Sequence, residues 1–67
     1  MVGEERRTLL EAIARLPRRQ REVLYLRFYA DLPEADIART LGVSRGTVSS
    51  TTSRALAALG KTLGEQS

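Results

Sequence analysis

Apolar residues recur along this chain at intervals of three and four, with charged and small polar residues between them. That spacing gathers them on one side of an α-helix rather than on one face of a strand. Leu9, Leu10, Ile13 and Leu16 form the first such stripe, which predicts a helix over Glu4 to Leu16. Glu4 and Glu5 complement the positive end of its dipole. Pro17 closes that segment and opens a second over about 18–29, because proline is tolerated in a first helical turn. Val23, Leu24, Leu26 and Phe28 give the second segment a broad apolar side, with Tyr25 and Tyr29 as partial cover. A third, short helix over 33–41 is expected to bury Ile37, Ala38 and Leu41, and Asp31 with Glu34 has capping-box spacing. A fourth over 45–63 turns Val48, Thr52, Ala55, Leu56 and Leu59 inward. Gly60 and Gly64 weaken its last turns, and 64–67 is expected to be a frayed tail. No run alternates with good β-propensity. The expected fold is therefore all-α: one four-helix domain, 1–67, without winged elements.

The break between the third and fourth segments carries the functional reading. In DIARTLGVSRGTVSS, Asp36 to Ser50, a helix stops at Gly42 and another begins almost at once. Glycine takes the left-handed conformation that ends a helix, and Ser44 is suited to cap the next one. Ala38 is small enough to let two helices approach closely. Ile37, Leu41, Val43 and Val48 are apolar on both sides of the corner and fix its angle. This is the pattern of a helix-turn-helix, in which the second helix enters the DNA major groove. Arg45, Ser49, Ser50 and Ser53 then fall on the outer side of the fourth helix, with Arg54 one step round. Ser44 and Thr47 supply donors beside its N-terminus, which itself favours a phosphate. The bland alternative is a helical hairpin with a polar outside, and a surface serine taken singly is usually no more than that.

Composition narrows the classes. The chain has 67 residues and a net charge of +3, and Lys61 is the only lysine among its eleven basic residues. A basic balance suits a polyanion partner, although many basic domains bind none. Arg18, Arg19 and Arg21 crowd the N-terminal turn of the second helix, the wrong end for its dipole. They read as a solvated face, a phosphate clamp, or a contact for an acidic protein. There is no cysteine and no histidine, so the usual zinc ligands are missing and no disulfide forms. The serines have no paired base to activate them, and there is no glycine-rich phosphate loop, so no enzyme and no cofactor are expected. No apolar run approaches a bilayer's thickness and the N-terminus lacks the pattern of a signal peptide, so a soluble cytoplasmic protein with no membrane or small-molecule partner is expected.

The segment LPRRQREVLYLRFYADLPEADIARTLGVSRGTVSSTTSRALAAL, about Leu16 to Leu59, resembles region 4 of bacterial RNA polymerase sigma factors, and within these the extracytoplasmic-function type. The resemblance rests on Leu16-Pro17…Arg21-x-Val23, on Ile37-Ala38…Leu41-Gly42-Val43-Ser44, and on Gly46-Thr47-Val48 followed by Ser53-Arg54-Ala55-Leu56. It implies recognition of the −35 promoter element by the last helix, docking on the flap of the polymerase β subunit, and control by an anti-sigma factor. It places base or phosphate contacts on Arg45, Ser49, Ser50, Ser53 and Arg54, with Arg21 and Arg39 near phosphates. The flap is expected to use an apolar concavity between the early helices and the end of the last. Three positions depart from the pattern: Ser49 stands where lysine or arginine is common, Thr52 where a larger apolar residue is, and Pro33 where serine is. The promoter-melting domain of a complete sigma factor has no counterpart here, so the chain is expected to be an excised domain or a natural fragment.

Two rivals remain on sequence grounds. The DNA-binding domain of a two-component or quorum-type activator shares the layout and a Gly-Thr-Val start to its reading helix. Leu16-Pro17-Arg18-Arg19-Gln20-Arg21 fits the sigma pattern better than the Leu-Thr-x-Arg-Glu opening of those activators. The other rival is a protein-interaction module with weak DNA binding of its own. Residues 1–33 hold seven basic and five acidic side chains, and 34–67 only four and three, so the reading helix is not in the more basic half.

Overall fold

The computed structural model describes residues 2–65, and among these there is no strand. Helix α1 is Val2–Ala14, α2 is Arg18–Leu24, α3 is Glu34–Leu41 and α4 is Arg45–Glu65. A π-helical turn, Tyr25–Tyr29, continues α2 without a break. Helix α1 stops two residues before the expected end at Leu16, because a residue that precedes proline is driven out of the α region. Arg15 and Leu16 close the end with N–H bonds to the carbonyls of Ala12 and Ile13. Helix α4 passes the expected end at Leu63, and Gln66 and Ser67 of the expected tail lie outside the described residues.

Two apolar clusters hold the helices. Val23, Ile37, Ala38 and Val48 unite α2, α3 and α4 around the corner, flanked by Leu26, Leu32, Leu41 and Val43. Ala12, Ile13, Leu16, Leu24, Ala55 and Leu59 pin α1 across α2 and the distal half of α4. Val23 and Leu24 are neighbours in sequence yet serve different clusters, so α2, like α4, contributes to both. Burying residues of this size contributes about 1.5–3 kcal/mol each for Val, Leu and Ile.

Several sequence expectations are corrected. Phe28 is 64% exposed and Tyr29 72% exposed, while Leu9, Leu10 and Leu56 are also exposed rather than in the core. The π turn is the reason for the first pair. Its wider spiral carries the Ala30 N–H back to the Tyr25 carbonyl, 2.9 Å, so residues after Tyr25 fall out of α-helical phase. Leu41 is only partly buried, and Ala12, which no stripe singled out, is 2% exposed. Asp31 forms no capping box. It adopts a left-handed φ of 59° and ends the π turn, where the Leu32 N–H bonds the Leu26 carbonyl. Aspartate visits that region more readily than most side chains. Pro33 occupies the N-cap position of α3, with no side-chain cap bond.

Candidate nucleic-acid interface

Backbone hydrogen bonds make the corner between α3 and α4. Gly42 is left-handed, at φ 69° and ψ 36°. Its N–H bonds the Arg39 carbonyl at 3.3 Å and the Val43 N–H bonds the Ala38 carbonyl at 3.0 Å. The pair is a Schellman closure, and Val43 packs back on the cluster that contains Ala38. Two residues later the Ser44 Oγ accepts the Thr47 N–H at 3.0 Å and starts α4. The chain therefore changes direction within three residues while leaving few backbone groups unpaired.

Helix α4 is then oriented by burial of one stripe. Val48 and Ala55 are fully buried and Leu59 nearly so. At about 100° per residue, Ser50 and Ser53 lie opposite that stripe, Arg45 and Ser49 on one flank, and Arg54 and Thr47 on the other. All six are exposed. The two arginines thus straddle a line of small side chains instead of sharing one side. Arg45 and Arg54 have no ion-pair partner among the described residues, and Ser49 and Ser53 form no side-chain hydrogen bond there.

The other candidates are engaged within the protein. The Ser50 Oγ donates to the Gly46 carbonyl at 3.0 Å. Ser44 donates to the Thr47 Oγ1 at 2.9 Å, so both hydroxyls belong to the helix cap. Arg39 pairs with Asp36 one turn back. Arg21 is half-buried, and its Nη1 donates to the Ala14 carbonyl, 3.4 Å, at the last residue of α1. It joins α2 to the end of α1. Thr52, partly buried, donates to the Val48 carbonyl at 2.8 Å.

Two features were not placed by sequence reasoning, which expected an apolar concavity reaching the end of the last helix but named none of its residues. Leu9, Leu10, Ile13, Leu24, Tyr25, Phe28 and Tyr29 line an apolar groove between α1 and the π turn, with Arg6 at its edge. Periodicity marked these residues as apolar but could not say which apolar stripe is covered. A second, polar cleft lies between the start of α2 and the end of α3, lined by Arg18, Arg19, Glu22, Thr40 and Leu41. The arginine cluster was legible, and its apposition to α3 was not.

The family model for sigma-70, region 4 matches residues 6–59. The chain belongs to the sigma-70 region 4 family, a family of DNA-binding domains that recognise promoters in transcription initiation. Comparison with curated proteins and with solved structures gives no match. Among the described residues no helix is long and apolar enough to cross a membrane.

Proposed function

We propose that this chain reads the −35 promoter element through the N-terminal half of α4 while the groove between α1 and the π turn docks on the β flap of RNA polymerase, in the bacterial cytoplasm. The observation that carries the first half is the capped corner at Gly42 and Ser44, which leaves the side chains of Arg45, Ser49, Ser53 and Arg54 exposed and without partners among the described residues. Arg45 at the start of the helix is the residue assigned to a guanine, since a guanidinium bonds the O6 and N7 edge in two places. Ser49 and Ser53 accept or donate and so discriminate less. Arg54, on the other flank, is assigned to a backbone phosphate, while Ser44, Thr47 and Ser50 hold the helix in place. Arg21 and Arg39, both engaged elsewhere, are secondary candidates for phosphates.

The flap assignment rests on the exposed apolar side chains of the groove, which an isolated domain would leave in water. The extracytoplasmic-function subtype rests on the Leu16 to Leu59 resemblance alone, and an anti-sigma factor is proposed as an inhibitor on the same grounds. The test is selection from a randomised duplex pool by the chain together with polymerase core. A short enriched motif protected about 35 base pairs upstream of the start supports the reading. Selection of paired, inverted half-sites would instead favour the dimeric activator type. Phe28→Ser is expected to abolish association with core while leaving motif enrichment by the chain alone unchanged.

A further inference from the structure

The polar cleft between α2 and α3 has no role in the account above. Arg18, Arg19 and Glu22 form one wall and Thr40 and Leu41 the other, around a volume of about 480 Å³. Two guanidinium groups share one carboxylate there: Arg18 Nε lies 3.7 Å from Glu22 Oε2, and Arg19 Nη1 lies 3.9 Å from Oε1. These are long contacts between exposed groups, and such pairs yield readily to a better anion. Thr40 is the one lining residue that carries a hydroxyl. It is exposed, stands next to the last residue of α3, and its Oγ1 donates to the Asp36 carbonyl at 2.8 Å.

A hydroxyl facing two arginines is placed to carry the better anion itself. A phosphothreonine brings a charge of about −1.5 to −2 and three acceptor oxygens, and each guanidinium can bond a phosphate in two places. Two effects oppose it. The end of α3 carries the negative pole of the helix, equivalent to about half a charge. Glu22 adds one negative charge, but its side chain is partly exposed and can turn to water. The two arginines facing the phosphate outweigh both.

We infer that Thr40 is a phosphorylation site whose phosphate is clamped across the cleft by Arg18 and Arg19. A protein kinase supplies the γ-phosphoryl group of a nucleoside triphosphate. The bond from Thr40 Oγ1 to phosphorus forms as the bond from that phosphorus to the β–γ bridging oxygen breaks. The nucleoside diphosphate leaves, and the hydroxyl proton passes to the kinase's base. The hydrogen bond to the Asp36 carbonyl is given up, and the clamp ties α2 to α3 in its place. The modification also makes the corner more negative close to the reading helix, since Thr40 is five residues from Arg45 and their Cα atoms are at most about 18 Å apart. A polyanion is then held less tightly. This effect on DNA rests on the promoter-reading assignment, and the clamp does not.

The experiment uses the full 67-residue chain made by chemical synthesis with threonine or phosphothreonine at position 40. Phosphorylation is expected to raise the melting temperature by about 2–6 °C. In the Arg18→Gln/Arg19→Gln background it is expected to lower the melting temperature or leave it unmoved. Phosphorus-31 titration is expected to place the second ionisation of the phosphate lower by about 0.5 or more with the arginines than without them. Glu22→Gln, which keeps both arginines, should enlarge the thermal gain. The same melting shift and the same phosphorus titration in all three backgrounds overturn the clamp. Mass spectrometry of the chain recovered from its native cells is expected to find phosphate on Thr40, and phosphate confined to other hydroxyls, or none, overturns the site. Affinity for the selected duplex is expected to fall severalfold on phosphorylation, more at about 50 mM than at about 200 mM NaCl. An unmoved duplex affinity in a chain whose clamp forms overturns the effect on promoter binding. An unmodified chain that selects no duplex sinks the promoter reading, while the melting and phosphorus measurements still decide the clamp.

Discussion

Single side chains in α4 divide by burial into those that hold the fold and those left for a partner. Arg45→Ala removes an exposed guanidinium that has no ion pair among the described residues, so the helical circular-dichroism signal and the melting temperature are expected to stay within error. Affinity for the selected duplex should fall by about 1–3 kcal/mol, with preference relaxed at one base pair. Ile37→Ala removes a side chain with no exposed surface and should cost about 2–5 kcal/mol of folding stability. Urea titration of both variants checks the contrast. An Arg45→Ala protein that unfolds early would place that arginine in the scaffold. The serines separate in the same way: among the described residues the Ser44 and Ser50 hydroxyls bond the chain's own polar groups, and those of Ser49 and Ser53 do not.

At the scale of elements, the corner and the far end of α4 behave differently. Gly42 is fixed by its positive φ, where a Cβ is strained whatever the space around it. Gly60 lies inside α4 with nothing within 4 Å of where a Cβ would stand. Gly60→Ala should therefore stabilise by about 0.5–1 kcal/mol through helix propensity, without touching the DNA face. A thermal melt shows this as a rise of a few degrees, and a fall would mean that the distal turns are not helical in solution. The π turn between α2 and α3 is the element whose shape the sequence concealed. Val23, Leu24, Leu26 and Phe28 look like one continuous stripe. The π turn, closed by the i→i−5 bond at Ala30, leaves Val23 and Leu24 in the core and Phe28 on the surface.

For the whole molecule, the two clusters share α2 and α4, and neither is large enough to stand alone in a chain of 67 residues. Val23→Ala in one cluster and Leu24→Ala in the other are each expected to lower the midpoint of a single transition. Far-ultraviolet dichroism and tyrosine fluorescence should coincide in both variants. Separate transitions would show that α1 docks independently on a preformed helix-turn-helix. The longest dimension of the molecule is 35 Å, about one turn of duplex, which fits one recognition element per chain.

The sequence by itself determined the helical class, the approximate extent of the helices and the corner at Gly42 and Ser44. Those follow from local causes: helical spacing of apolar residues, proline at helix starts, a glycine free to be left-handed and a serine able to cap. Membership of the sigma-70 region 4 family was legible for the same reason, since its marks lie at the start of α2, at that corner and along α4. Only the tertiary structure decided which of the apolar residues are covered, that Arg21 is turned to the end of α1, and that Arg18 and Arg19 face the end of α3. These depend on how helices distant in sequence meet, and periodicity within one helix carries no information about its neighbour.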